Sequence, residues 1–184
     1  MRTSTETVIP TGTWTVDPAH SKVAFSVKHM GIATVRGEFT EFEGTLEIGE
    51  DLGSAKAYGS AQVQSVDTNE PQRDEHLRSP DFFDAATYPE IRFESTKIEA
   101  LDDEEFRITG NLTIHGVTNE VVLHVDFLGT DIDPWGGERA GLEVTGRLSR
   151  GDFDMKFNQM LGSGNVMVSD KVNLNLDISA VKQA

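Results

Sequence analysis

Cysteine is absent from this 184-residue chain, which removes a disulfide frame, a thiolate nucleophile and any zinc site of the thiolate type. Positive charge is scarce as well. Sixteen Lys and Arg stand against 31 Asp and Glu, a formal net charge of −15, and that balance argues against a sequence-independent grip on nucleic acid or on anionic lipid surfaces. Long apolar runs are also missing. The opening MRTSTETVIPTGTWTVD has no apolar stretch of the roughly seven residues that a secretory leader needs, and nothing approaches the roughly 18 of a membrane-spanning helix. The expectation is a cytoplasmic protein, not integral to the membrane and without a nucleic-acid partner.

What is present is alternation. At this length, with 37% hydrophobic residues, the chain fills one domain and is short for two. Apolar and polar residues exchange with a period of two, the mark of strands with one buried face. The clearest case is Val172, Leu174, Leu176, Ile178 and Ala180, interleaved with Asn173, Asn175, Asp177 and Ser179. Val23, Phe25 and Val27 repeat the pattern, as do Phe106, Ile108, Leu112 and Ile114, then Val121 to Phe127, then Leu142, Val144 and Leu148. Between Phe39 and Phe42 the parity changes, which one inserted bulge residue would correct. Weaker strands fit Trp14 to Val16, Ala55 to Val66 and Glu90 to Ile98, for a total of about eight or nine. NEPQRDEHLRSPDFFDAATYP breaks the rhythm: Asn69 caps a helix with Pro71 in its first turn, and Ser79-Pro80 ends it.

Antiparallel strands with one apolar face close into a sandwich or a barrel, and small in-phase residues favour the barrel. These are Gly37, Gly44, Ala57, Gly59, Ala61, Gly110, Gly116 and Gly146. They either leave the interior unfilled or let the strands coil sharply, and both can hold at once.

Three blocks carry a more specific signal: GTWTVDPAHSKVAFSVKHMGIATVRGEFTEFEGTL, RDEHLRSPDFFDAATYPEIRFES and ITGNLTIHGVTNEVVLHV. In this order and spacing they resemble the YceI-like family of lipocalin-type, polyisoprenoid-binding barrels, from about Thr13 to Ser179. The resemblance implies an all-β, extended eight-stranded antiparallel barrel with a short helical excursion near residues 70–84. Residues 13–180 would form that single domain behind a flexible N-terminus, 1–12. It also implies a long isoprenoid tail in an apolar tunnel and a homodimer. No catalytic set and no cofactor transfer with it. Many relatives carry a secretory leader that is not evident here, which leaves a cytosolic lipid carrier or store.

A polyprenyl tail is recognised by removal of its hydrocarbon from water, about 0.8 kcal/mol per CH₂, so large in-phase apolar side chains are the expected ligand-binding residues. They are Phe25, Val27, Phe39, Phe42, Leu46, Phe93, Ile108, Leu112, Leu123, Val125 and Phe127. The alternative is that they form an ordinary core. Phe82 and Phe83 sit on the helical excursion, as a lid or as a plug. Met155, Phe157 and Met160, near Gly162 and Gly164, form a second gate or a loop folded over the sheet.

Polar candidates are weaker. His20, His29, His76, His115 and His124 show no helical ligand spacing, so no metal is expected. Asp17, His20 and Ser21 resemble a triad in composition only, without a nucleophile elbow. Arg73, Asp74, His76 and Arg78 read as local ion pairing, and Arg150-Gly151-Asp152 as a tight turn. At −15 the protein repels a diphosphate unless Lys22, Lys28 and Arg36 converge at the opening, so a neutral, quinone-like head is expected. Two other readings compete. An isomerase or cyclase would need a buried ionisable group, and a ligand-free stress-response domain would have a filled interior.

Overall fold

The computed structural model describes residues 9–159, 161 and 167–184. Its strands are β1 (Gly12–Val16), β2 (Lys22–His29), β3 (Ala33–Phe39), β4 (Phe42–Ile48), β5 (Lys56–Gln62), β6 (Val66–Asp67), β7 (Glu90–Ala100), β8 (Glu105–Ile114), β9 (Val117–Ile132), β10 (Glu138–Ser149) and β11 (Val168–Lys182). One helix, α1 (Pro71–Arg78), lies between β6 and β7.

The ladder order β1-β4-β5-β7-β8-β9-β10-β11 returns to β1 through the pairing of β1 with β11, so eight antiparallel strands close a barrel. β2, β3 and β6 continue from β11. β1 and β2 are two halves of one bent path: Trp14 to Val16 pair with the end of β11, Lys22 to His29 with its beginning, and a turn at Pro18–His20 separates them. β3 and β4 follow the same course, pairing with β2 and β1 respectively.

Several expectations change in detail. The parity shift between Phe39 and Phe42 is a break in the ladder at Thr40 and Glu41 in place of a bulge inside one strand, and both Phe side chains still reach the same inner cluster. The stretch from Ala55 to Val66 is two strands interrupted by a 3₁₀ turn at Val63–Ser65. Glu70, not Asn69, caps α1, its carboxylate accepting from the Gln72 amide, while Asn69 turns the chain at φ +64°. α1 ends at Ser79, and turns carry the rest of the excursion. Gly116 is not an inward strand position. With His115 it forms the two-residue β8–β9 turn, φ +56° and +74°, which needs left-handed backbone at both residues.

Of the remaining in-phase glycines, Gly59 lets the β4 backbone approach, while Gly37, Gly110 and Gly146 are seats for larger side chains. A Cβ on Gly37 would stand 2.5 Å from the Phe25 ring, one on Gly110 2.5 Å from the Phe93 ring, and one on Gly146 2.6 Å from Leu123. Large side chains thus lie across the missing ones, packing that also tolerates strong strand twist.

Both ends of the barrel are packed. Around the β8–β9 turn, Phe153 and Met155 are buried on Leu112, Ile114 and Leu148, with Phe83 beside them. At the other end Trp14, fully buried, packs with Ile9, Ile48, Phe106 and Ala140. Trp14 Nε1 donates to the Pro10 carbonyl at 3.0 Å, so the barrel takes in chain ahead of the expected start at residue 13.

Candidate ligand-binding interior

Alternation aims the side chains inward, but they are not equally covered. On β8, Phe106, Ile108, Leu112 and Ile114 are all buried. On β11 the inward Val172, Leu174, Leu176 and Ile178 are only half-buried, and on β2 so are Val23, Phe25 and Val27.

Of the expected wall residues, Phe39, Ile108, Leu112 and Val125 are buried, while Phe25, Val27, Phe42, Leu46, Phe93, Leu123 and Phe127 are half-buried. Ile108 and Val125 share a cluster with Leu46, Phe93, Leu123 and Phe127; Phe39 groups with Phe25 and Phe42; Leu112 meets Phe93 in the third. Val27 joins none of these clusters and sits between Val35 and Val172 in the ladder. Val23, Leu174, Leu176 and Ile178 were not singled out in the sequence, although their alternation was the clearest signal for their facing.

The proposed gate residues separate. Phe83 turns inward, edge-on to Phe39 at 5.7 Å. Phe82 turns away, against Phe157 at 5.3 Å and His76 at 5.0 Å, with the Arg150 guanidinium 5.8 Å from its ring centre. Met155 belongs to the buried end plug, and Met160 lies outside the described residues.

Buried Arg150 anchors that plug by donating to the carbonyls of Met155, Val168 and Ser169 at 2.8, 3.2 and 2.9 Å. Burial pushes its guanidinium below the ordinary value, an effect the nearby Asp170 opposes. The turn expected at Arg150-Gly151-Asp152 is a 3₁₀ turn, Arg150–Phe153. Buried Asp74 accepts from the amide and hydroxyl of Thr68, and Arg73 donates to the Thr68 hydroxyl and carbonyl, so this group fastens α1 to the chain before it.

His20 and Asp17 do pair, at 2.8 Å, but Asp17 also receives Arg139 at 2.8 Å, and the Ser21 hydroxyl donates to the Ser179 carbonyl. No nucleophile is set up there. Arg139 holds the Asp17 carboxyl down at about 2, with His20 the smaller cause. Strand spacing does bring one potential ligand group together that helical spacing could not reveal: Glu105, His124 and Asp126 have ligand atoms within 4.8 Å of one another, and His124 pairs with Asp126 at 3.1 Å. Among the described residues no buried side-chain nitrogen or oxygen lacks a partner.

The YceI-like domain model matches residues 14–180. The chain belongs to the YceI-like family. It is 39% identical to the YceI protein of Escherichia coli O157:H7 over 165 residues, 89% of this chain and 83% of that protein. The YceI-like barrel is also that of BcnA from Burkholderia cenocepacia, at TM-score 0.78 and 22% identity over 89% of this chain and 98% of that one. A polyisoprenoid-binding domain from Saccharophagus degradans has the same fold, at TM-score 0.67 and 15% identity over 92% of this chain and 98% of that one. No helix among the described residues is long and apolar enough to cross a membrane.

Proposed function

We propose that the protein binds a long-chain isoprenoid lipid along the axis of its barrel, for transport, storage or sequestration, and is not an enzyme. The observation that carries this is the apolar inward row of β2, β9 and β11, where Phe25, Val27, Leu123, Phe127, Leu174 and Leu176 are only half-buried by the protein's own side chains. Burying a few isoprene units against that row, at about 0.8 kcal/mol per CH₂, offsets an association cost of several kcal/mol and leaves micromolar affinity. The polyisoprenoid-binding neighbour supports the same ligand class. A neutral, quinone-like head fits the electrostatics, because Lys22 pairs with Glu38 and Lys28 donates to Thr34, leaving Arg36 as the unpartnered member of that trio. The buried ionisable groups Asp74 and Arg150 are both committed to structural bonds, which favours binding over catalysis.

Mass spectrometry of an organic extract of gently purified protein is the test. Recovery of an isoprenoid is expected, and affinity should rise with tail length and ignore salt. Leu123→Trp, filling the space beside the row, should lower uptake about tenfold in a variant that still folds. Full uptake by that variant, or an extract without lipid, overturns the proposal. The expected cytoplasmic homodimer belongs to this reading, and light scattering on the eluted protein checks its mass.

A further inference from the structure

The outer wall carries a second feature, independent of the interior. The β9–β10 ladder runs from Ile132 and Glu138 to His124 and Thr145 and stops there, although β9 and β10 both extend beyond these residues. At that point lies an open groove of about 380 Å³ lined by Leu101, Arg107, Val122, His124, Thr145 and Arg147, with Leu123 and Gly146 at its floor.

Its charges are unusual for a chain at −15. Of the six described arginines outside the groove, five are committed: Arg92 to Glu90, Arg139 to Asp17 and Asp133, Arg73, Arg78 and Arg150 to backbone carbonyls. The side chains of Arg107 and Arg147 have no hydrogen bond or ion pair with any described residue, and both residues are exposed. Arg36 on β3 is the other such arginine among the described residues, and it is not in the groove. Register explains how they converge. Arg107, His124 and Thr145 are cross-strand partners in one row over β8, β9 and β10, and Arg147 follows two residues on, on the same face. The acidic row of Glu105, Asp126 and Glu143 lies on the opposite side of His124, where Asp126 is taken up by the imidazole. Beside the arginines stand Val122, 54% exposed, and Leu101, 43% exposed.

We propose that this groove binds a small amphiphilic anion, its carboxylate or phosphate held between Arg107 and Arg147 and its short apolar part lying on Val122 and Leu101. Two guanidinium forks on one oxyanion give charge-assisted, directional contacts that water alone does not match. The site needs nothing from the interior, so it stands or falls apart from the lipid reading.

The test is amide NMR of the full chain titrated separately with octanoate, octyl phosphate and inorganic phosphate. Both octyl probes should shift Val122, His124, Thr145 and Arg147, and R107Q/R147Q should weaken them about tenfold with an unchanged melting curve. V122S should weaken octyl phosphate and leave inorganic phosphate as it was. Equal affinity in R107Q/R147Q, or shifts confined to interior positions such as Phe25 and Leu174, overturns the site. Inorganic phosphate binding as tightly as octyl phosphate overturns the amphiphile assignment.

Discussion

β8 and β11 carry the same two-residue alternation and end in opposite states of packing. Phe106, Ile108, Leu112 and Ile114 are sealed, whereas Val172, Leu174, Leu176 and Ile178 keep accessible surface. The difference does not come from the strands themselves. What seals β8 arrives from elsewhere in the chain: the Phe93 ring lies over Gly110, Phe153 and Met155 cover Leu112 and Ile114, and the Trp14 cluster takes Phe106 and Ile108. β11 puts only its last inward residue, Ala180, into the buried Trp14 cluster and otherwise touches these clusters at their margins, through Val172, Leu174, Leu176 and Ile178. Alternation decides which way a side chain faces, and long-range contacts decide whether anything fills the space in front of it.

The sharpest way to break this contrast is to remove the cover. Phe153→Ala deletes a side chain with 1% exposure from the end plug and should cost about 3–5 kcal/mol, measured by urea unfolding. Accessible surface should then appear on Leu112 and Ile114, read as faster amide exchange on β8. A loss below about 1 kcal/mol would mean that the plug does not seal the sheet. The comparison is sharpened by a matched pair in delipidated protein. Leu112→Ala removes buried methyl groups and should cost about 3 kcal/mol, while Leu174→Ala removes half-buried ones and should cost about 1–2 kcal/mol. Equal losses would show the two walls to be packed alike.

Facing was legible in the sequence because it is local. The inward rows and the helical excursion follow from period and punctuation, while the closed eight-stranded ring is what the family resemblance adds. Filling was not legible, because it depends on pairs far apart in the chain such as Phe93 over Gly110 and Leu123 over Gly146. The aromatic pair divides in the turns after α1, Phe83 against Phe39 and buried Phe82 against Phe157, a pairing beyond a local reading. Asn69 looked a better cap than Glu70 by composition, yet left-handed backbone at Asn69 moves the helix start one residue on. The Glu105, His124 and Asp126 group was missed because strand ligands recur at two residues and across the ladder, while helical spacings of three and four were sought.

The smallest effect concerns how the packed end is fastened. Arg139 on β10 bonds Asp17, after β1, and Asp133 in the β9–β10 turn, at 2.8 and 3.0 Å. Asp17 is lowered from 3.8 to about 2, and Asp133 is lowered too, chiefly by the Gly137 amide. A carboxylate whose folded-state value lies below its unfolded one contributes stability that is whole above the unfolded value and disappears as pH falls through the folded one. Arg139→Gln should therefore lower stability at pH 7, by less than any of the core substitutions, since these groups are solvent-screened. In urea unfolding at stepped pH, the gap between wild type and variant should hold above the ordinary carboxylate value of 3.8 and close as pH falls through about 2, where folded Asp17 takes up its proton. A gap that stayed constant to pH 2 would assign Arg139 a packing role through its aliphatic stem, and the two ends of the barrel would then be held by the same kind of apolar contact.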